Sequence, residues 1–396
     1  MTEDGILPLR LDEGRFARLE AIEWWDQSLL AKARVVVAGA GALGNEVIKN
    51  LALLGVGNVV IVDLDRVELS NLSRSVLFRE SDEGEAKAEC AARMARQIYP
   101  GMKVRPIVGN LLADLGLGFF HWADVVVGAL DNREARVFVN SACAQVGTPW
   151  IDGGIEVLNG IVRGFHPPAT ACYECTMSTV DWDLLNKRRS CSLLARRAIA
   201  HRGTPTTPTT ASIIAALQVQ EVVKLLHGRG TLLGSGFVFD GARHDCYTVS
   251  YPINPECGWH EAASPVEEMR DVDSDTPLRV LWKKAEQSLG GVDALEMSRE
   301  LVARMECPRC EQSEDIFQPA EKIAPDRLPC PGCGAERAPG FFHSLDAQSP
   351  LLEKTPREIG LPRWDIVWAR RGAQSIGLEL GGDSPFQEKP EHSSHE

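Results

Sequence analysis

A glycine loop, Gly39-Ala40-Gly41-Ala42-Leu43-Gly44, is followed within residues 39–87 by two carboxylates, Asp63 and Asp65, an amide, Asn71, and two cations, Arg74 and Lys87. Carboxylates accept from ribose hydroxyls, cations neutralise phosphate oxygens, and glycines let the backbone approach both. A nicotinamide cofactor needs no cations just beyond the acidic turn, so the set suits a triphosphate. Asp131 follows a further apolar run, 124–130, where a carboxylate can hold Mg²⁺ against phosphates. Each residue has a plainer reading. The loop alone also fits a dehydrogenase, Asp131 fits a cap for the segment starting at Asn132, and Arg74 or Lys87 taken singly fits a solvated charge. Only the combination points to ATP.

The surrounding residues dictate the scaffold. The run at 34–38, Arg-Val-Val-Val-Ala, precedes the glycines and predicts a buried parallel strand. The apolar-periodic segment 47–54 predicts the helix whose N-terminus faces the anion. A second run, Asn58-Val59-Val60-Ile61-Val62, ends at Asp63. Strands near 34, 58, 103, 124 and 149 alternate with helical patterns at 84–99 and 132–147. This implies an α/β fold, a Rossmann-like and mostly parallel sheet covered on both faces. The runs 236–240 and 247–251 predict strands added on one side. Residues 1–263 make this first domain, and 264–306 reads as a linker and helical segment, polar and acidic at 265–275. Residues 346–383 read as a small β-rich module of ubiquitin-like shape, and 384–396 as a polar disordered tail.

The 11 cysteines are spaced for metal more than for disulfides. Cys307-Pro-Arg-Cys310 and Cys330-Pro-Gly-Cys333 match a Cys₄ zinc ribbon, over 307–345, in which each pair forms a knuckle presenting two thiolates. Cys172-Tyr-Glu-Cys175 is a third knuckle, and Cys257-Gly-Trp-His260 lies downstream with a thiolate and an imidazole, so a Cys₃His site follows. Two structural Zn²⁺ ions are therefore expected. Cys90 and Cys143 sit in apolar helical patterns and Cys246 in a strand pattern, which predicts core packing for all three. Cys191 differs. It stands beside Lys187, Arg188 and Arg189, with Arg196, Arg197 and Arg202 following, and nearby cations favour the thiolate that attacks acyl groups. A loop cysteine without chemistry is the alternative.

At 396 residues, 44% hydrophobic and 24% charged, the chain is long enough for one large α/β domain with smaller modules. A net charge of −13 argues against general nucleic-acid binding. No apolar stretch approaches the roughly 18 residues of a membrane helix. The opening Met1-Thr2-Glu3-Asp4-Gly5 lacks the basic and apolar regions of a signal peptide. The expectation is a cytoplasmic protein with neither membrane nor nucleic-acid partner.

The runs GAGALGNEVIKNLALLGVGNVVIVDLDRVELSNLSRSVLF, DEGEAKAECAARMARQIYP and GALDN carry a resemblance. Over about residues 12–260 the chain is similar to the ThiF/MoeB/ubiquitin-activating-enzyme superfamily, whose members adenylate the C-terminal glycine of a ubiquitin-fold protein. The resemblance implies that Asp63 binds ribose, that Asn71, Arg74 and Lys87 bind phosphates, and that Asp131 assists Mg²⁺. Arg15-Phe16-Ala17-Arg18 is similar to the family's Arg-aromatic-x-Arg element, whose second arginine reaches the triphosphate, often from the partner subunit. That implies a role for Arg18 and a homodimer. Family members commonly close this domain with two CxxC pairs, so His260 is a departure in the fourth position. Members of one domain carry their acceptor cysteine between the knuckle and the helix that here starts near Thr209. This implies an acceptor segment at 176–208, a thioester on Cys191 and transfer to a conjugating enzyme. Ala42 and Ser75 stand where a glycine and a glutamine are usual. The resemblance equally admits an adenylyltransferase for a sulfur-carrier protein in thiamine, molybdopterin or cysteine synthesis, or an inactive nucleotide-binding scaffold subunit.

Overall fold

Uninterrupted β-branched runs need cover on both faces. β1 (Arg34–Ala38), β2 (Asn58–Asp63), β3 (Lys103–Val108), β4 (Val125–Gly128) and β5 (Trp150–Glu156) are parallel and lie in the order β3-β2-β1-β4-β5. Successive side chains of a strand point to opposite faces. Val35, Val37, Val59 and Ile61 accordingly pack with the helices Ala42–Leu53, Lys87–Ile98 and Pro208–Leu226. Val36, Val60 and Val62 pack with the helices Leu117–Trp122 and Arg133–Val146 on the other side. The computed structural model that shows this describes residues 14–190, 205–261 and 263–386. The chain runs outward from β1 to β3 and then crosses back to β4, which opens a crevice between the carboxyl ends of β1 and β4.

Beyond β5 the sheet continues with three antiparallel strands, β6 (Asn159–Phe165), β7 (Ser235–Asp240) and β8 (Asp245–Ser250). Cys90 and Cys143 are buried, as their patterns imply, but Cys246 is exposed because β8 is the edge strand. The helix Pro208–Leu226 has the length and composition of a membrane span, contrary to the expectation that no stretch approaches one. Its apolar face, Ala211, Ile214, Ala215, Val219 and Val222, is occupied by the sheet's core, so its apolarity reflects packing.

The C-terminal residues depart from the expected division. β9 (Val266–Glu268), β10 (Ala294–Glu306), β11 (Ser313–Pro319), β12 (Ala338–Leu345), β13 (Ile366–Arg371) and β14 (Gln374–Glu379) form a second sheet in the order β11-β10-β13-β14-β9, with β12 paired to β10. The stretch read as a linker and helical segment supplies the helix Leu278–Leu289 and also β9 and β10, and the stretch read as a separate small β-rich module supplies β13 and β14. β13 pairs with β10 and β14 with β9, so residues 264–306 and 346–383 are halves of one sheet, with the cysteine knuckles inserted between β10 and β12. Sequence hid this because β10, Ala-Leu-Glu-Met-Ser-Arg-Glu-Leu-Val-Ala-Arg-Met-Glu, is made mostly of helix-forming residues whose tertiary setting overrides their propensity.

The helix Leu278–Leu289 covers one face of this sheet with Leu278, Leu281, Trp282 and Ala285, a stripe at helical spacing. Trp364, Ile366 and Trp368 join the core of the first sheet. The joint is close and polar. Any side chain at Gly116 would lie 2.4 Å from Trp364 O, Leu117 N donates to Asp365 Oδ1 at 2.8 Å, and Arg299 donates to Leu112 O and Leu115 O at 2.8 and 3.0 Å. Phe386, at the start of the expected disordered tail, stacks on Trp122 of the first domain at 4.2 Å. Residues 387–396 lie outside the described residues.

Candidate functional site

The glycines divide the work of the loop. Gly39 has φ +98°, and a Cβ there would lie 2.4 Å from Ala129 O, so the turn out of β1 requires glycine. A Cβ on Gly44 would lie 2.0 Å from Gly39 O, which demands glycine for close packing of helix on loop. Around Gly41 there is open space, the approach a phosphate needs. Ala42 is the first residue of the helix Ala42–Leu53. Sequence reading missed Asn45. It is fully buried, its amide donates to Ala40 O at 2.6 Å, and its carbonyl accepts from Leu77 N at 2.8 Å, which ties the loop to the segment carrying Arg74. A polar residue in an apolar helix face was the available signal.

Asp63 closes the loop from the neighbouring strand. Its Oδ2 accepts from Ala40 N at 2.6 Å and its Oδ1 from Asp65 N at 2.8 Å. Lys87, at the start of the helix Lys87–Ile98, donates to Asp65 Oδ2 at 2.9 Å with its side chain 11% exposed. Arg74 is held by Ser70 O at 2.8 Å. Asn71 accepts from Glu68 N at 3.2 Å through its carbonyl, and its amide donates to Ser70 Oγ at 3.4 Å. Asp131 is exposed and accepts from Asn132 Nδ2 at 2.9 Å. The helix Arg133–Val146 is capped by Asn132, whose side chain accepts from Ala135 N at 2.8 Å, so Asp131 is free of the capping role. Gly39, Gly41, Gly44, Asp63, Asp65, Lys87 and Asp131 thus share the carboxyl edge of the sheet, and Asn71 and Arg74 lie on the segment that Asn45 ties to the loop.

Arg18 does not join them. Cys191 lies outside the described residues. Arg18 sits on the short helix Ala17–Glu20, whose neighbour Phe16 packs against Tyr99 and into the space left by Gly55. Gly55 and Tyr99 follow the far ends of the helices that begin at the loop and at Lys87. Helices of 12 residues span about 18 Å, so Arg18 stands at the opposite edge of the sheet from its own chain's crevice.

Burial pushes the Asp63 carboxyl above the ordinary carboxylate range, against the lowering effect of the Ala40 and Asp65 amides and of Lys87. A raised folded-state pKa means that the carboxyl favours the fold most below its unfolded pKa. That contribution is lost as pH rises through the folded value, so neutral pH carries the burial cost. The ribose contact that the family resemblance implies for Asp63 needs the ionised acceptor. The Michaelis constant for ATP is therefore expected to rise on acidification earlier than an ordinary aspartate would allow. Asp63→Asn should weaken ATP by about tenfold to a hundredfold, the worth of hydrogen bonds to a charged group, and should also lower thermal stability, because an amide can accept from only one of Ala40 N and Asp65 N. A pH profile of the Michaelis constant, read beside thermal unfolding of both proteins, checks this.

The cysteines meet in two groups. Cys172, Cys175, Cys257 and His260 bring their ligand atoms within 4.8 Å of one another, as do Cys307, Cys310, Cys330 and Cys333. Two thiolates on one tetrahedral zinc stand about 3.8 Å apart. Cys172 Sγ lies 3.8 Å from Cys175 Sγ and 3.6 Å from Cys257 Sγ, and the Cys307–Cys333 and Cys310–Cys330 distances are both 3.5 Å. These separations fit zinc and are longer than the S–S bond of a disulfide. His260 Nε2 lies 3.0 Å from Cys175 Sγ, and Trp259 Nε1 donates to Glu174 Oε1 at 2.7 Å, latching the two loops together.

The model of the ThiF family matches residues 14–258. The chain belongs to the ThiF family. It is 33% identical over 238 residues to the SAMP-activating enzyme E1 of Haloferax volcanii, covering 58% of this chain and 81% of that protein. It is 40% identical over 162 residues to the Nedd8-activating enzyme E1 catalytic subunit of Drosophila melanogaster, covering 38% of this chain and 36% of the relative. Against the sulfur carrier protein adenylyltransferase of Thermus thermophilus it is 39% identical over 154 residues, 38% of this chain and 57% of the other. The chain spans about a third of the length of the E1 catalytic subunits it matches. The crystal structure of E. coli MccB shares the fold of this ThiF-family chain, with a TM-score of 0.52 at 25% identity over 63% of this chain and 73% of that one.

Proposed function

We propose that this ThiF-family chain adenylates the C-terminal glycine carboxylate of a ubiquitin-like protein, takes the acyl group on Cys191 as a thioester and passes it to a conjugating enzyme. The observation that carries the first step is one crevice holding an open glycine loop, the Asp63 acceptor, the preset Lys87 and the exposed Asp131. A carboxylate oxygen of the glycine attacks the α-phosphorus of ATP, an O–P bond forms, and the bond to the bridging oxygen breaks to release pyrophosphate. Lys87 and Arg74 stabilise the charge that gathers on the β and γ phosphates, and Asp63 with the loop fixes the nucleotide. Asp131 would hold Mg²⁺, which supplies neutralising charge to the phosphates. The Cys191 thiolate then attacks the acyl carbon and AMP departs.

The reading includes a homodimer. Arg18 stands about 18 Å of helix away from its own crevice, so its role at the triphosphate requires a second copy of the chain. The Cys₃His and Cys₄ groups would each hold a structural Zn²⁺. The relative from Thermus thermophilus supports a second reading, in which a sulfur-carrier protein is adenylated and no enzyme thioester forms.

The experiment is a non-reducing gel of the full chain with a candidate ubiquitin-like protein and Mg·ATP, comparing wild type with Cys191→Ala. A thiol-sensitive adduct in wild type alone is expected. Pyrophosphate exchange without any adduct would favour the sulfur-carrier reading. An adduct in both proteins would move the acceptor to another cysteine, and no exchange with either class of carrier would reduce the chain to a scaffold.

A further inference from the structure

β4 ends at Gly128, whose partner across the ladder is Asp152, so the carbonyls of residues 129–132 leave the sheet without a strand beside them. Arg136 fills that role. It lies one helical turn after the cap Asn132, on the same face, and a helical side chain leans back toward the N-terminus of its helix. Its Nη2 donates to Leu130 O at 2.7 Å and to Gly153 O at 3.0 Å, while Nε donates to Asp152 Oδ1 at 2.9 Å. The guanidinium therefore bridges the segment immediately before Asp131 to the middle of β5.

The bridge is anchored from below. Asp152 is fully buried, and its Oδ2 accepts from Arg163 Nε at 3.1 Å. The Arg163 guanidinium lies 4.9 Å over the ring of Tyr173, within the Cys172–Cys175 knuckle. Gln218 adds a second clamp, donating to Gly128 O at 2.8 Å and to Ile151 O at 3.2 Å. A lysine could keep the charge opposite Asp152, but it has no planar fork to reach two carbonyls as well. Among the described residues Asp131 itself has a single side-chain hydrogen bond, with its neighbour Asn132. Its carboxylate is aimed by the backbone of its turn.

We propose that Arg136 is a positioning residue for Asp131, holding the Leu130–Asn132 turn so that the carboxylate meets the magnesium ion of Mg·ATP. This rests on the adenylation reading of the crevice. The test measures the Mg²⁺ dependence of carrier-dependent pyrophosphate exchange for wild type, Arg136→Lys, Asp131→Asn and the double variant, with thermal unfolding of each. Arg136→Lys is expected to raise the half-saturating Mg²⁺ about tenfold, as outer-shell substitutions around a metal do. The double variant should be no worse than Asp131→Asn alone. Should Arg136→Lys fail to fold, Asp152→Asn keeps the shape of the network, weakens its ionic pairing and should move the same Mg²⁺ dependence. Multiplicative losses in the double variant, or an unchanged Mg²⁺ dependence in Arg136→Lys, would overturn the proposal and leave the role of Asp131 standing. If Asp131→Asn is itself without effect, the assignment of Asp131 falls instead.

Discussion

Lys87→Ala should lower carrier-dependent pyrophosphate exchange by about a hundredfold to a thousandfold, the roughly 2.7–4 kcal/mol that one well-aimed group supplies to a developing anion. Thermal stability should hardly change. The partner of Lys87 is Asp65, whose side chain is 58% exposed, and pairs open to water contribute little to folding. Against phosphate the same ammonium, 11% exposed and set at 2.9 Å from a carboxylate, is already oriented and partly desolvated. The prediction extends to subunits. Arg18→Ala should also be impaired, because that arginine is expected to serve the partner's crevice. Mixed and exchanged, the two variants form heterodimers in which one site has both cations intact. Random pairing of a two-fold dimer should restore about a quarter of wild-type sites. No recovery after verified subunit exchange would put Arg18 outside the reaction.

Loss of metal should have the largest effect on structure, and unequally at the two groups. The purified chain is expected to hold two zinc ions by elemental analysis, falling to one in Cys172→Ser and in Cys330→Ser. Around the Cys₄ group the supporting core is small, Val302, Met305, Ala320, Ile323 and Leu328. So few apolar contacts cannot offset the ordering of a loop-rich segment, and the binding energy of the ion, about 10–16 kcal/mol for small zinc modules, would have to do so. Cys330→Ser should therefore open residues 307–345 to proteolysis while the first sheet remains folded. Cys172 is fully buried beside Tyr173, which packs on Trp150 and Phe165. Cys172→Ser should instead lower the unfolding temperature of the whole first domain. Limited proteolysis followed by mass measurement distinguishes the two outcomes, and equal behaviour would contradict the difference in their surroundings.

The nucleotide half of the site was legible because its parts are local. A β-branched run before glycines, an acid at the end of the next strand and cations just after it encode a strand-turn-helix cradle, and their spacing alone brings them to one edge of a parallel sheet. CxxC knuckles are legible for the same reason, since two residues between thiolates define a turn. The pairing of Cys172 and Cys175 with Cys257 and His260 could be anticipated as a ligand set, but the approach of segments some eighty residues apart comes from β6, β7 and β8 folding back beside β5. Three features were decided by tertiary structure alone. Arg136, Asp152 and Arg163 are buried charges whose meaning depends on being opposite one another. β10 reads as helix by composition and becomes a strand because β12, β11 and β13 pair with it. Arg18 carries a family motif, yet packing of Phe16 into the gap at Gly55 sets it across the sheet from the loop. Spacing along the chain specifies turns and periodic faces. Burial and long-range hydrogen bonding decide which of those faces meet, and no local pattern encodes that choice.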